Sequence, residues 1–170
     1  RLAQAEVGYF EKLVEDLLFL ARVGEPRYQV GRDVVDLSKL IQDEGNNAIS
    51  RSESSASKLA IECRFEGAAG ESVLVQGDAQ LLRRALRNAI ENAKSFAKSK
   101  VLLRWRRGTE GRVEIWIEDD GPGLPDEVLQ SYGERRISRR LETNQEGRIS
   151  LGLGSVIIKT VTRAHGGELK

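Results

Sequence analysis

Phe10, Leu13, Leu17 and Leu20 recur at alternating spacings of three and four, and Val14, Leu18 and Ala21 widen the stripe. That period predicts a helix over residues 2–22 with a seam suited to a coiled coil or bundle. So wide an apolar face needs a partner helix, and no adjacent segment supplies an obvious one. Gly24 and Pro26 end the helix, the first by freeing the backbone and the second by barring continuation. The period then changes. YQVGRDVV reads as a strand, and DLSKLIQDEGNNAIS as a helix opened by Asp36 or Ser38, with Leu37, Leu40, Ile41 and Ala48 among its apolar positions. After the polar link SRSESSAS, LAIECRF and SVLVQG read as strands on either side of a Gly-rich turn. DAQLLRRALRNAIENAKSFAKS predicts a long helix capped by Asp78, its stripe made by Leu82, Ala85, Leu86, Ala89, Ile90 and Ala93. VLLRWRR and RVEIWIED are strands joined around GTEG, a hairpin signal. From Pro122 to Ser150 there is little regular pattern, and GSVIIKTVTRAHGG predicts a final helix closed by Gly166 and Gly167. The order is helix, strand, helix, two strands, helix, two strands, long loop, helix. It predicts an α+β fold class: a two-layer α/β sandwich, a mixed sheet covered on one face by helices, preceded by one long helix.

Composition narrows the function classes. A chain of 170 residues holds one domain with a sizeable core, or a small domain with an appendage. Its net charge of +1 gives no reason to expect a nucleic-acid or membrane partner. One cysteine, Cys63, excludes an internal disulfide framework, and with the single histidine, His165, it excludes a Cys/His zinc site. Cys63 falls in an alternating stretch and reads as a half-buried strand residue. No apolar run reaches membrane-span length and no signal peptide is visible. The chain starts in mid-pattern at Arg1 and contains no Met, as expected of a piece of something longer.

Three polar groupings carry candidate chemistry. Asn88 and Asn92 lie four apart on the long helix and so share a face. Asn competes with the helix backbone for hydrogen bonds, so two in register among Leu, Ile and Ala imply that their carboxamides are used. The oxygens suit a hard cation such as Mg²⁺ and the NH₂ groups suit phosphate; the alternative is an exposed polar flank. In IEDDGPGLP, Asp119 at a strand end can accept from an exocyclic amine, while Gly121 and Gly123 let a flat ligand approach the backbone, or simply form a tight turn. In SLGLGSVIIK, Gly152, Leu153 and Gly154 lead into a helix whose first amides suit a phosphate, or mark a flexible entry. There is no Walker lysine pattern and no third glycine of the dinucleotide fingerprint.

In this order the groupings resemble the nucleotide-binding domain of sensor histidine kinases, within the GHKL superfamily. LLRRALRNAIENAKSF resembles the N box, IEDDGPGLP the first glycine box, and LGLGSVIIKTVTRAHGG the second glycine box with its closing His-Gly-Gly. YFEKLVEDLLFLARVGEP resembles the second helix of the dimerisation and phosphoacceptor hairpin. The resemblance implies a partial hairpin helix over 1–24 and an ATP-binding catalytic domain over 28–170, without its last strand. It implies ATP and Mg²⁺ as cofactors. Asp119 would bind the adenine amine beside Gly121 and Gly123. Asn92 would be the metal ligand, with Asn88 a second contact to metal or phosphate, and Gly152, Leu153 and Gly154 would form the phosphate-facing turn.

The function implied is transfer of the ATP γ-phosphate to a histidine upstream of Arg1, and from there to an aspartate of a response regulator. The parent protein would be a homodimer through its hairpin, a membrane-associated bacterial sensor with this domain in the cytoplasm. The alternative is a degenerate nucleotide- or partner-binding module that signals by conformation. It is motivated by Ser95 and Phe96 where relatives carry a cation and a Tyr, by Ile149 and Ser150 where they carry glycine, and by an aromatic-poor segment, VLQSYGERRISRR, after the first glycine box. In that segment Arg135, Arg136, Arg139 and Arg140 read either as a phosphate-gripping lid or as a solvated loop. His165, in the turn that closes the last helix, reads as a structural residue rather than the phosphoacceptor.

Overall fold

The structure, a computed structural model, describes residues 2–53, 59–67, 71–134, 142–143, 149–150 and 153–170. In chain order its elements are α1 (Leu2–Val23), β1 (Asp33–Asp36), α2 (Leu37–Glu53), β2 (Ala60–Phe65), β3 (Leu74–Gly77), α3 (Ala79–Phe96), β4 (Lys100–Arg107), β5 (Val113–Asp119), α4 (Asp126–Gln130), β6 (Glu142–Thr143), β7 (Ile149–Ser150) and α5 (Leu153–Ala164). β2 runs parallel to β4, β4 pairs antiparallel with β5, and β1 pairs antiparallel with β3. The central sheet is therefore mixed, with helices on one face, as the element order predicts.

Period two sorts the central sheet into two faces. Val101, Leu103 and Trp105 point into a core with Ile41, Ala48, Leu86, Ile90 and Ala93 of α2 and α3. Complete burial of a side chain such as Ile41, Ile90 or Leu103 stabilises by about 1.5–3 kcal/mol. The other face carries ion pairs. Arg104 bridges Glu66 at 2.9 Å and Glu118 at 2.8 Å, and Arg104 and Arg106 stack on Trp116.

Both expected caps for α2 find work, but different work. Asp36 Oδ1 accepts from Lys39 N at 3.0 Å and so caps the helix. Ser38 lies within the first turn and accepts at 3.2 Å from both Val73 N and the Trp105 indole N–H, which ties α2 to the sheet. The strand expected from Tyr28 forms only over Asp33–Asp36, because β3 offers four partners and no more. The interval from Pro122 onward holds a five-residue helix, α4, too short for any apolar period to reveal.

α1 divides along its length. Its C-terminal part is docked: Leu20 is buried with Leu81, Val156, Ile157 and Val161, flanked by Phe19, Val23 and Tyr28. Asp16, itself buried, accepts from Arg84 at 2.7 Å, and the Arg84 guanidinium lies 4.2 Å over the Phe19 ring. Val7, Phe10, Val14, Leu17 and Leu18 stay exposed, along the stripe that the heptad-like spacing predicts.

Candidate nucleotide site

α3 organises the site. Asp78 caps it, accepting from Gln80 N at 2.9 Å and Leu81 N at 3.1 Å. Asn88, nearly three turns further, is buried, and its Nδ2 donates to Arg84 O at 2.9 Å. Asn92 is half-buried, and its Nδ2 donates to the Tyr132 hydroxyl at 3.4 Å. Both side chains turn toward α5. A Cβ on Gly154 would stand 3.2 Å from Asn88 Oδ1 and 3.2 Å from Asn92 Oδ1. Glycine is thus what lets the first turn of α5 lie against the carboxamide pair.

Both Asn oxygens are available. Among the described residues no donor reaches Asn88 Oδ1 or Asn92 Oδ1. A buried acceptor left open is unusual and marks a place where a ligand or water belongs. The described residues hold no cluster of three or more His, Cys, Asp or Glu that could bind a metal. Two neutral carboxamide oxygens nevertheless fit a hard cation that keeps most of its other ligands as water and phosphate, while the helix N-terminus beside them favours the phosphate.

The loop after β5 meets the far end of α3. Asp119 and Asp120 are adjacent, and the fold separates them. Asp120 accepts from Lys98 N, Ser99 N and Lys100 N at 2.8, 2.9 and 3.1 Å and from Ser99 Oγ at 2.6 Å. The Ser99 hydroxyl first, then the Ser99 and Lys100 amides, hold its carboxyl well below the usual carboxylate range. It clamps β5 to the α3–β4 connection, a role the sequence does not disclose. Asp119 accepts only from Gly121 N, at 2.9 Å through Oδ1, and its exposed Oδ2 meets no donor among the described residues.

Gly121 is required by close approach, since a Cβ there would collide with Phe96 O and with Asp119 Oδ1. Gly123 has φ +76°, a left-handed conformation that favours glycine. Beside them opens a cleft of about 450 Å³ lined by Phe96, Pro122, Gly123, Leu124, Pro125 and Val128. Its walls are largely apolar, suited to a flat ring. A second cavity of about 600 Å³, near Ser38, Phe65 and Ser72, lies away from this chemistry.

Other expected site residues fall as follows. Leu153 opens α5 and packs with Leu20 and Ile157 rather than facing the Asn pair through its side chain. Gly152 and the cluster Arg135, Arg136, Arg139 and Arg140 lie outside the described residues. Ser95 Oγ donates to Glu91 O at 2.8 Å, so it turns back on its own helix. His165 is fully engaged: Nε2 accepts from Asp78 N at 3.0 Å while Nδ1 faces Val161 O at 2.8 Å, which requires the Nδ1–H tautomer. Tyr132, which the sequence singles out only as the lone aromatic of its segment, meets Asn92 across forty positions, a contact no local pattern could show.

Residues 77–170 match the family described as histidine kinase-, DNA gyrase B-, and HSP90-like ATPase. The chain belongs to this ATPase family. All the groupings above, from the Asp78 cap to the His165 turn, fall within the matched span. Among curated relatives, the probable sensor histidine kinase TcrY of Mycobacterium tuberculosis (strain ATCC 25618 / H37Rv) is 30% identical over 166 residues, covering 97% of this chain and 33% of TcrY. The signal transduction histidine-protein kinase BaeS of Escherichia coli (strain K12) is 30% identical over 167 residues, covering 98% of this chain and 34% of BaeS. The chain thus spans about a third of the length of these ATPase-family relatives. Among solved structures, full-length ShkA in complex with AMPPNP matches with a TM-score of 0.72 at 25% identity, over 97% of this chain and 33% of that one. The mycobacterial sensor histidine kinase MprB matches with a TM-score of 0.62 at 25% identity, over 79% of this chain and 80% of that one. Among the described residues no helix is long and apolar enough to cross a membrane.

Proposed function

We propose that this chain is the ATP-binding kinase core of a two-component sensor histidine kinase, acting in the cytoplasm as part of a larger sensor. Its observable basis is the meeting of Asn88 and Asn92 on α3 with Gly154 at the start of α5. Asn92, with Asn88 beside it, would hold Mg²⁺, and the amides of Gly152, Leu153 and Gly154 would face the phosphates. Asp119 Oδ2 would accept from the adenine amine, with Gly121 and Gly123 shaping the approach and Phe96 and Leu124 walling the ring. Bound Mg²⁺ supplies charge neutralisation on the phosphate oxygens. The chain's own contribution is positioning: it would fix the base beside the C-terminal end of α3 and the polyphosphate one to two turns back along the helix, at Asn92 and Asn88, so the γ-phosphate would be offered at the open edge.

The acceptor would be a histidine on a helix packed against the exposed stripe of α1, in a homodimeric hairpin, with an aspartate of a response regulator as the onward acceptor. On this reading the chain would divide into a hairpin helix, 1–24, and a catalytic domain, 28–170. The test is transfer from γ-labelled ATP. The chain alone is expected to bind Mg²⁺-nucleotide and acquire no phosphohistidine, because both nitrogens of His165 are occupied by the fold. A separately supplied hairpin carrying the phosphoacceptor is expected to become labelled. Acid-labile label on His165 refutes the structural role of that residue. Binding without transfer to any hairpin favours the signalling pseudokinase, which Ser95, turned away without a cation, also favours.

A further inference from the structure

Tyr132 stands in a short turn that continues from α4, with Ser131 N donating to Val128 O and Tyr132 N to Leu129 O, both at 3.2 Å, and that is also fastened to α5. Lys159 Nζ donates to Tyr132 O at 3.4 Å and lies 3.8 Å from Glu134 Oε1. Gly133 between them is buried with φ +73°, and a Cβ there would stand 2.7 Å from Lys159 Cδ and 3.1 Å from Ser155 O. The turn is therefore seated directly on the first turns of α5. From that seat the Tyr132 hydroxyl reaches across to Asn92 on α3.

A carboxamide has two unlike ends, one acceptor and one double donor. In Asn92, Nδ2 donates to Tyr132, and a Cβ on Gly154 would stand 3.2 Å from Oδ1 and 3.5 Å from Nδ2, so the carboxamide lies along the start of α5 with Oδ1 the nearer end. A cation on Oδ1 draws electron density from the amide and makes Nδ2 a stronger donor, which then needs an acceptor in a half-buried place. Tyr132 Oη is the acceptor the fold provides. Its 3.4 Å separation is long, and such contacts tighten when the ligand arrives.

We propose that Tyr132 is a positioning residue for the cation: its hydroxyl holds the Nδ2 end of Asn92 so that Oδ1 faces the start of α5. This rests on the nucleotide-site reading above and adds to it a residue outside the Asn pair and the glycine turns. Lys159, by holding the Tyr132 main chain, ties the orientation of Asn92 to the seating of the 131–134 turn on α5.

The experiment uses Tyr132→Phe, which keeps the ring and removes only the hydroxyl. ADP is titrated calorimetrically with and without Mg²⁺, and the ratio of the two dissociation constants is the readout. Loss of one net hydrogen bond is expected to reduce the Mg²⁺ enhancement about fivefold. In an Asn92→Ala background the same substitution is expected to leave the ratio where Asn92→Ala alone puts it. The Asn92 side-chain NH₂ resonances, assigned by their loss in Asn92→Ala, are expected to shift in the metal-free Tyr132→Phe protein. A merely structural tyrosine would weaken binding equally with and without Mg²⁺, so an unchanged ratio overturns the proposal. Unmoved Asn92 resonances overturn it as well. Wild-type protein that binds no nucleotide removes the site reading itself, and this inference with it, a result distinct from a normal wild type with an unchanged ratio in the variant.

Discussion

Asp119 and Asp120 differ by one position and by nearly everything that surrounds them. Asp120 is satisfied by three backbone amides and a hydroxyl, whereas Asp119 Oδ2 meets no donor among the described residues. Asp119→Asn should therefore weaken ADP binding roughly ten- to hundredfold by losing a charge-assisted bond, and leave tripolyphosphate binding at its wild-type value. Calorimetric titration of both ligands decides it, and equal affinity of wild type and variant for ADP would remove Asp119 from the base contact. The sequence showed that an acid pair met two glycines. It could not show which acid turns inward, because that depends on amides of residues 98–100, some twenty positions away. Asn88 and Asn92 were legible for the opposite reason, since their shared face follows from helical spacing alone. The approach of Gly154, which leaves both oxygens waiting, is tertiary.

At the scale of elements, α2 and α3 are held together by apolar packing and by one buried carboxylate. Glu44 on α2 lies 2.7 Å from Arg83 Nη1 and 3.1 Å from Arg87 Nε, both on α3, and is 1% exposed. Burial alone would raise its pKa; the hydrogen bonds and charges of Arg87 and Arg83 outweigh burial and leave it below the ordinary glutamate value. Its stabilising contribution is thus complete above that ordinary value and is lost as pH falls through the lower folded one. Glu44→Gln is expected to cost about 2 kcal/mol at neutral pH. In urea melts the gap between wild type and variant should be constant through neutral pH and close only in acid. A gap that persists undiminished into acid would show that shape, not charge, ties α2 to α3. Element existence was readable wherever an apolar period ran for two turns or more, as in α1, α3 and α5. α4 and the two-residue strands β6 and β7 are too short to have a period, and β1 is cut to four residues by the length of its partner. The burial of Glu44 left no sequence signal, since an acid in a helix reads as solvated until its neighbours are known.

For the molecule as a whole, the described residues join α1 to the ATPase unit by a small hydrophobic contact and a clasp, Asp16 to Arg84 to the Phe19 ring. Arg84 also supplies, through its carbonyl, the acceptor for Asn88, so the clasp and the candidate cation site share a residue. Asp16→Asn should leave the core of α2, α3 and the sheet intact and loosen α1, at a cost of about 1–2 kcal/mol. Limited proteolysis should then cut faster between residues 24 and 32, with the far-ultraviolet dichroism otherwise retained. Cleavage at the wild-type rate would mean that Leu20 and its neighbours hold α1 unaided. At the other end of the fold, His165 reaches back 87 positions to cap the first amide of Asp78. A nascent chain emerges from the ribosome with α3 long before α5, so for that interval Asp78 N–H has no acceptor from His165, and Asn88 and Asn92 have no facing glycine. Contacts this distant in sequence are slow to close. The facing of α3 and α5 must therefore be completed last, and a chain cut short before α5 would carry the Asn pair with nothing set opposite it.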